Sequence, residues 1–250
     1  MQPILSCRDV RVSFNGFQAL QGVDLEVRPN EVRFLIGPNG AGKTTLLDVI
    51  CGKTKASDGE VLYRQTENIR KLQEHEIVRL GITRKFQAPS IFANLTVWEN
   101  LELSLKQERG LWSVMRAKMT GEDKEKMERM LSRIGLIEQR HQLAGMLAHG
   151  QKQWLEIGMQ LMQDPEILLL DEPIAGMSGT ERHKTGELIH EISKACSVLI
   201  VEHDMEFVRN FSKQVTVMHE GKVLCEGTMS EIQQNEQVAE VYLGRRESAC

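Results

Sequence analysis

The chain has 250 residues, enough for one large domain or two small ones with a sizeable buried core. Apolar residues make up 41% and charged ones 26%, an ordinary globular balance, and no apolar run approaches the roughly 18–20 residues of a membrane-spanning helix. A net charge of −4 supplies no basic field to recruit nucleic acid, so no nucleic-acid partner is expected.

The N-terminal stretch MQPILSCRDVRVSF lacks the apolar core of a signal peptide, so the chain is expected not to be exported. Residues 4–36 read as short strands and turns: ILSCRDVRVSF, then VDLEVRPNE with its alternation and Pro-Asn turn, then VRFLIG. A Gly-rich turn follows, and AGKTTLLDVICG reads as a helix ending near Gly52. The five cysteines, Cys7, Cys51, Cys196, Cys225 and Cys250, form no CxxC pair and read as scattered reduced thiols.

Residues 88–162 read as largely helical. Thr120 and Asp123 fit a capping box, and Met127, Met130, Leu131 and Ile134 follow at helical spacing. Trp154, Ile157, Gly158 and Leu161 repeat that spacing in a helix starting near Gly150 and stopped at Asp164-Pro165. The twelve methionines, several in this region, read as adaptable core packing. Apolar strands then return at EILLLD (166–171) and SVLIVE (197–202), with the helical ERHKTGELIHEISKA between them. This alternation predicts an α/β fold with a parallel sheet covered by helices. QVTVMHEGKVLCEG reads as a hairpin turning at Glu220-Gly221, followed by a polar helical tail.

Three features carry chemistry. Residues 37–44, GPNGAGKT, fit the phosphate-loop pattern G-x-x-x-x-G-K-[ST] between a strand and a helix. Gly37, Asn39, Gly40, Ala41 and Gly42 form a turn whose backbone N–H groups can surround phosphate oxygens, and the helix N-terminus points at the same anion. Lys43 supplies a positive charge to the terminal phosphates, and the Thr44 hydroxyl is suited to Mg²⁺. Second, ILLLDEP (167–173) ends a buried strand in Asp171, a candidate Mg²⁺ partner, followed by Glu172, a candidate base for the attacking water. Third, His203 falls just past SVLIVE, at the mouth of another predicted parallel strand, within reach of a γ-phosphate.

With KFQ at 85–87 and LAHGQ at 147–151, these motifs occur in an order that resembles the ATP-binding cassette family, the nucleotide-binding subunits of ABC transporters. The resemblance spans nearly the whole chain. It implies a P-loop NTPase with a RecA-like parallel-sheet core, an N-terminal antiparallel β subdomain and an inserted helical subdomain. The core is expected at 1–87 and 163–250, and the helical subdomain at 88–162. By the same resemblance, Gln87 contacts Mg²⁺ and the attacking water, and Phe14 (with Phe17 as alternative) stacks on adenine. Thr45 binds the α-phosphate, Glu172 is the catalytic glutamate, and His203 is the switch histidine. ATP and Mg²⁺ are the implied cofactors. Ala148, His149, Gly150 and Gln151 match the signature loop, which acts on the ATP of a head-to-tail partner.

The chain departs from the family at Ser178, where an Asp is usual, and at Ala148 and His149, where Ser and Gly are usual. The insert from SLKQERGLW to RIGL, the AGM step and HGQKQWLEIGM look like importers of branched-chain amino acids and amides, closest to the urea-importer subunit. That implies an ATPase at the cytoplasmic face of the membrane, paired with a sister cassette and bound to transmembrane permease subunits. An extracytoplasmic solute-binding protein would act with it indirectly. A branched-chain amino-acid importer is the alternative, and a non-transport cassette protein the more distant one.

Overall fold

The computed structural model describes residues 2–85, 91–105 and 119–243. Gln87, and the part of the polar insert at 106–118, lie outside the described residues.

Strands β1 (Leu5–Phe14) and β2 (Phe17–Val27) form an antiparallel hairpin. Its two-residue turn, Asn15-Gly16, has φ of 49° and 90°, as a tight hairpin with native twist requires. After β3 (Val32–Ile36) and helix α1 (Lys43–Ile50), strand β4 (Asp58–Tyr63) pairs back onto β1 and β5 (Glu67–Asn68) onto β4. The result is a four-stranded antiparallel sheet in the order β2-β1-β4-β5. Only the hairpin portion is predicted by alternation. β4 begins with Asp-Gly, and Gly59 is held at φ 86°, where a Cβ would lie 2.3 Å from the Asp9 carbonyl oxygen.

Helix α2 (Glu74–Leu80) leads into β6 (Ile82–Lys85). Helices α3 (Val97–Leu103), α4 (Gly121–Arg133) and α5 (His149–Leu161) follow, then β7 (Ile167–Asp171), α6 (Gly179–Ile192), β8 (Ser197–Val201) and α7 (Met205–Phe211). The described chain ends with the β9 (Gln214–His219) and β10 (Lys222–Gly227) hairpin and helices α8 (Met229–Gln234) and α9 (Glu236–Leu243). Thr120 caps α4 as its spacing predicts, accepting from the Asp123 N–H and donating to its carboxylate.

The second sheet runs β10-β9-β3-β8-β7-β6. β3 is parallel to β8 and β9, and β7 to β8, while β10 closes the edge antiparallel. Ile167, Leu168, Leu169 and Leu170 of β7 are fully buried, as are Val198, Leu199 and Ile200 of β8. Burial on both faces is why these strands read as continuous apolar runs rather than alternating ones. The hydrophobic core joins β1 and β2 residues such as Val10, Leu20 and Val23 to Leu46, Leu47 and Ile50 of α1.

The described residues fold into two compact units. One holds those up to Arg84, with 166–172 and those from Ile189 on. The other holds the described residues of 85–165 together with 173–188. Cys7, Cys51 and Cys196 are buried free thiols, and burial pushes Cys7 up to about 12, beyond thiolate chemistry at neutral pH. No helix among the described residues is long and apolar enough to cross a membrane.

Candidate active site

The site in the first unit grows from the carboxyl edge of the parallel sheet. β3 is wholly buried and delivers the chain into the loop 37–42. Gly42 is the N-cap of α1 with φ 96°, and a Cβ there would lie 2.7 Å from Leu20 Cδ2 and 2.8 Å from the Ala19 carbonyl oxygen. Gly37 is tighter still, since its Cβ would reach 2.1 Å from the Met218 carbonyl oxygen. Gly40, at φ 80°, has nothing within 4 Å of a Cβ, so its side of the loop faces open space. Glycine is therefore demanded at 37 and 42 by close backbone approach and at 40 by conformation.

Lys43 is buried, and its ammonium donates to the carbonyl oxygens of Gly37 and Pro38 at 2.8 and 2.9 Å. Burial holds its pKa below the ordinary lysine value, while Glu172 and Asp171 pull it back up. The amine is thus held in the loop by its own carbonyl groups. Thr44 is exposed at the first turn of α1, with Thr45 half-buried beside it, and Asn39 is exposed on the loop.

Asp171 ends β7 almost completely buried, and its Oδ2 accepts from Arg84 Nη2 at 3.0 Å. Glu172 follows with φ 47°, a left-handed conformation that costs a non-glycine residue about 1–3 kcal/mol. The Glu172 N–H donates to the Val201 carbonyl of β8, so the turn is tied to the neighbouring strand. Its carboxylate meets His203: Nε2 lies 3.1 Å from Glu172 Oε1. Beyond β8, Glu202 Oε2 accepts from the His203 N–H, and Asp204 caps α7 through the Phe207 N–H. Glu172 and His203, expected at the same sheet edge from the strands that precede them, are a contact pair. The structure also brings in Arg84 and Asp48, which the sequence does not mark.

Phe14 and Phe17 flank the β1–β2 turn as a directly opposed pair, 49% and 69% exposed. The choice between them as an aromatic platform is thus a choice within one cross-strand pair. Both present apolar side chains to solvent on one hairpin.

In the second unit, Ala148 is the N-cap of α5. Its N–H donates to Gln151 Oε1 at 3.0 Å, but alanine carries no oxygen to accept from the helix in return. The exposed His149 ring turns back, with Nε2 3.0 Å from the Ala175 carbonyl oxygen. A carbonyl only accepts, so this nitrogen carries the hydrogen. Gly150 is buried; a Cβ there would meet Glu181 Oε1 at 2.4 Å. Ser178, in turn, caps α6: its N–H and hydroxyl both donate to Glu181 Oε2, at 2.8 and 2.7 Å. These bonds hold the Glu181 carboxyl below its ordinary value, burial opposing and the His149 charge assisting.

Residues 20–175 match the family described as ABC transporter, which covers more than half of the chain. The chain belongs to the ABC transporter family. A second match, at residues 222–248, is to the branched-chain amino acid ATP-binding cassette transporter family. The cassette is 36% identical to the high-affinity branched-chain amino acid transport ATP-binding protein LivG of Escherichia coli K12, over 97% of this chain and 98% of that protein. It is 35% identical to BraF of Pseudomonas aeruginosa, a protein of the same description, with the same coverage. Among solved structures, a nucleotide-free ATP-binding cassette from an ABC transporter superposes with a TM-score of 0.84 at 32% identity, over 97% of this chain and 100% of that one. The cassette is thus an ATPase subunit of the branched-chain amino-acid importer group, of the kind that works with transmembrane permease subunits.

Proposed function

We propose that this cassette binds Mg-ATP at the loop 37–45 and hydrolyses it through Glu172 and His203. The observation that carries the reading is the 3.1 Å contact of His203 Nε2 with Glu172 Oε1 at the sheet edge beside the buried Lys43. Loop N–H groups and Lys43 neutralise the β- and γ-phosphates, Thr45 reaches the α-phosphate, and Phe14 or Phe17 stacks on the adenine. Glu172 accepts the proton of the attacking water, and His203, beside that carboxylate, donates its N–H to the γ-phosphate. The donor set for the metal is all oxygen, the Thr44 hydroxyl and the Asp171 carboxylate, which fits Mg²⁺, with Gln87 as a further ligand by resemblance. When bound, Mg²⁺ offsets the charge that develops on the transferred phosphate.

Two cassettes pair head to tail, so that Ala148, His149, Gly150 and Gln151 of one close over the ATP of the other. We take the partner to be a sister cassette, and the pair to dock at the cytoplasmic face onto permease subunits fed by a solute-binding protein. The relatives support a branched-chain amino acid as cargo. A second reading, urea or a similar amide, is favoured by HGQKQWLEIGM, which resembles the urea-importer subunit.

Glu172→Gln tests the chemistry. Turnover of Mg-ATP is expected to fall about 10²–10⁴-fold with ATP binding retained; undiminished turnover overturns the assignment. Uptake of labelled leucine and labelled urea in a strain lacking this chain decides the cargo.

A further inference from the structure

We infer that Arg84 is a positioning residue that sets the affinity of this site for Mg²⁺, by clamping together the two segments that carry its ligands. The inference rests on the Mg-ATP reading above. Arg84 lies in β6, and its side chain is only 3% exposed. Nη2 donates to Asp171 Oδ2 at 3.0 Å, and Nη1 donates to Asp48 Oδ1. Nη1 also lies 3.6 Å from Cys51 Sγ, at the C-cap of α1.

The arrangement has a geometric consequence. Asp48 stands one turn after Thr44 on α1, so the two side chains share a helix face. Asp171 ends β7. One planar guanidinium therefore ties the helix bearing the Thr44 hydroxyl to the strand bearing the Asp171 carboxylate. The bond to Oδ2 restrains the rotation of the Asp171 carboxylate. Partners behind a ligand orient it, and their loss typically weakens metal affinity about 10–100-fold. Lysine cannot reproduce the effect: it keeps the charge but offers a point donor in place of a fork. Lys53 also approaches Asp48, at 3.6 Å, but from a half-exposed side chain that does not define an angle.

The test uses the full chain carrying Glu172→Gln, so that no hydrolysis intervenes, and binding of the fluorescent nucleotide TNP-ATP. Affinity is measured in EDTA and then against rising Mg²⁺. Arg84→Lys is expected to raise the half-saturating Mg²⁺ concentration about tenfold while leaving the EDTA affinity unchanged. Asp48→Asn, which keeps an acceptor oxygen, should give a smaller rise. Titration of Arg84→Lys at the parental Mg²⁺ midpoint overturns the clamp, as does an equal loss of affinity in EDTA. If Arg84→Lys does not fold, Asp48→Asn decides: a raised midpoint sustains the clamp and an unchanged one overturns it. A parent that binds no nucleotide at any Mg²⁺ concentration overturns the nucleotide-site reading itself, and the clamp with it.

Discussion

Ala148 leaves half of a capping box unmade. Its N–H is satisfied by Gln151 Oε1, but the return bond, from an N-cap oxygen to the helix, has no acceptor. A serine at 148 restores that acceptor, and N-cap replacements of this kind are worth about 1 kcal/mol. Ala148→Ser is therefore expected to raise the thermal unfolding midpoint by about 2–4 °C in a chain of this size. A stabilised helix and the proposed grip on the partner's phosphate would be separate consequences of the same hydroxyl. The first is read by calorimetry on the isolated chain, the second by ATPase activity in the assembled complex. An unchanged midpoint rejects the cap and unchanged activity rejects the phosphate contact. His149 stands differently: with Nε2 directed at the Ala175 carbonyl, its imidazole braces the loop after β7 within its own unit.

Among the elements, α6 shows how a departure from a family pattern can be a local structural choice. Ser178 stands where the resemblance leads one to expect Asp, yet Ser178 and Glu181 form a complete capping box. The pH dependence follows from the depressed Glu181 pKa. A carboxylate held lower in the folded than in the unfolded chain adds stability that is fully present above its ordinary value of 4.5 and is lost as pH falls through the folded value. Glu181→Gln should lower the thermal midpoint at pH 7, and that difference should shrink towards zero as the pH is lowered below 4.5. A difference that stays constant with pH would assign the effect to packing against Gly150 instead, since Glu181 Oε1 lies 2.4 Å from where a Gly150 Cβ would be. The S-x-x-E spacing at 178–181 is as legible as the Thr120–Asp123 box; only its family context diverts attention from it. β6 is not legible in the same way. Thr83, Arg84 and Lys85 are all buried in a four-residue strand, Arg84 against Asp48 and Asp171 and Lys85 against Glu156 at 3.5 Å. Period-2 hydropathy has nothing to detect there, because the apolar signal is replaced by ion pairs whose partners lie 36 and more residues away.

At the scale of the molecule, the legible parts are those where one physical requirement acts along a continuous stretch. β3, β7 and β8 are mostly apolar because both faces are covered, and glycine recurs in the loop 37–42 because Gly37 and Gly42 lie close to neighbouring chain and Gly40 takes a left-handed φ. The order of the sheet, and the contact of Glu172 with His203, arise from pairing between segments that no spacing rule connects. Symmetry adds a further consequence for Ala148, one that can be measured. In the proposed head-to-tail pair, a homodimer would present Ala148 to both nucleotides, whereas a pair with a sister cassette would present it to one. A hydrogen bond to a charged phosphate is worth about 1.5–3 kcal/mol, or roughly ten- to hundredfold in dissociation constant. Restoring it by Ala148→Ser should therefore shift the self-dimer constant by the square of the factor seen for the heterodimer. Sedimentation equilibrium in Mg-ATP can compare Glu172→Gln chains with and without Ala148→Ser, alone and with the sister cassette. A squared ratio places Ala148 over the partner's nucleotide. An equal shift in both pairs, or none in either, removes it from that interface.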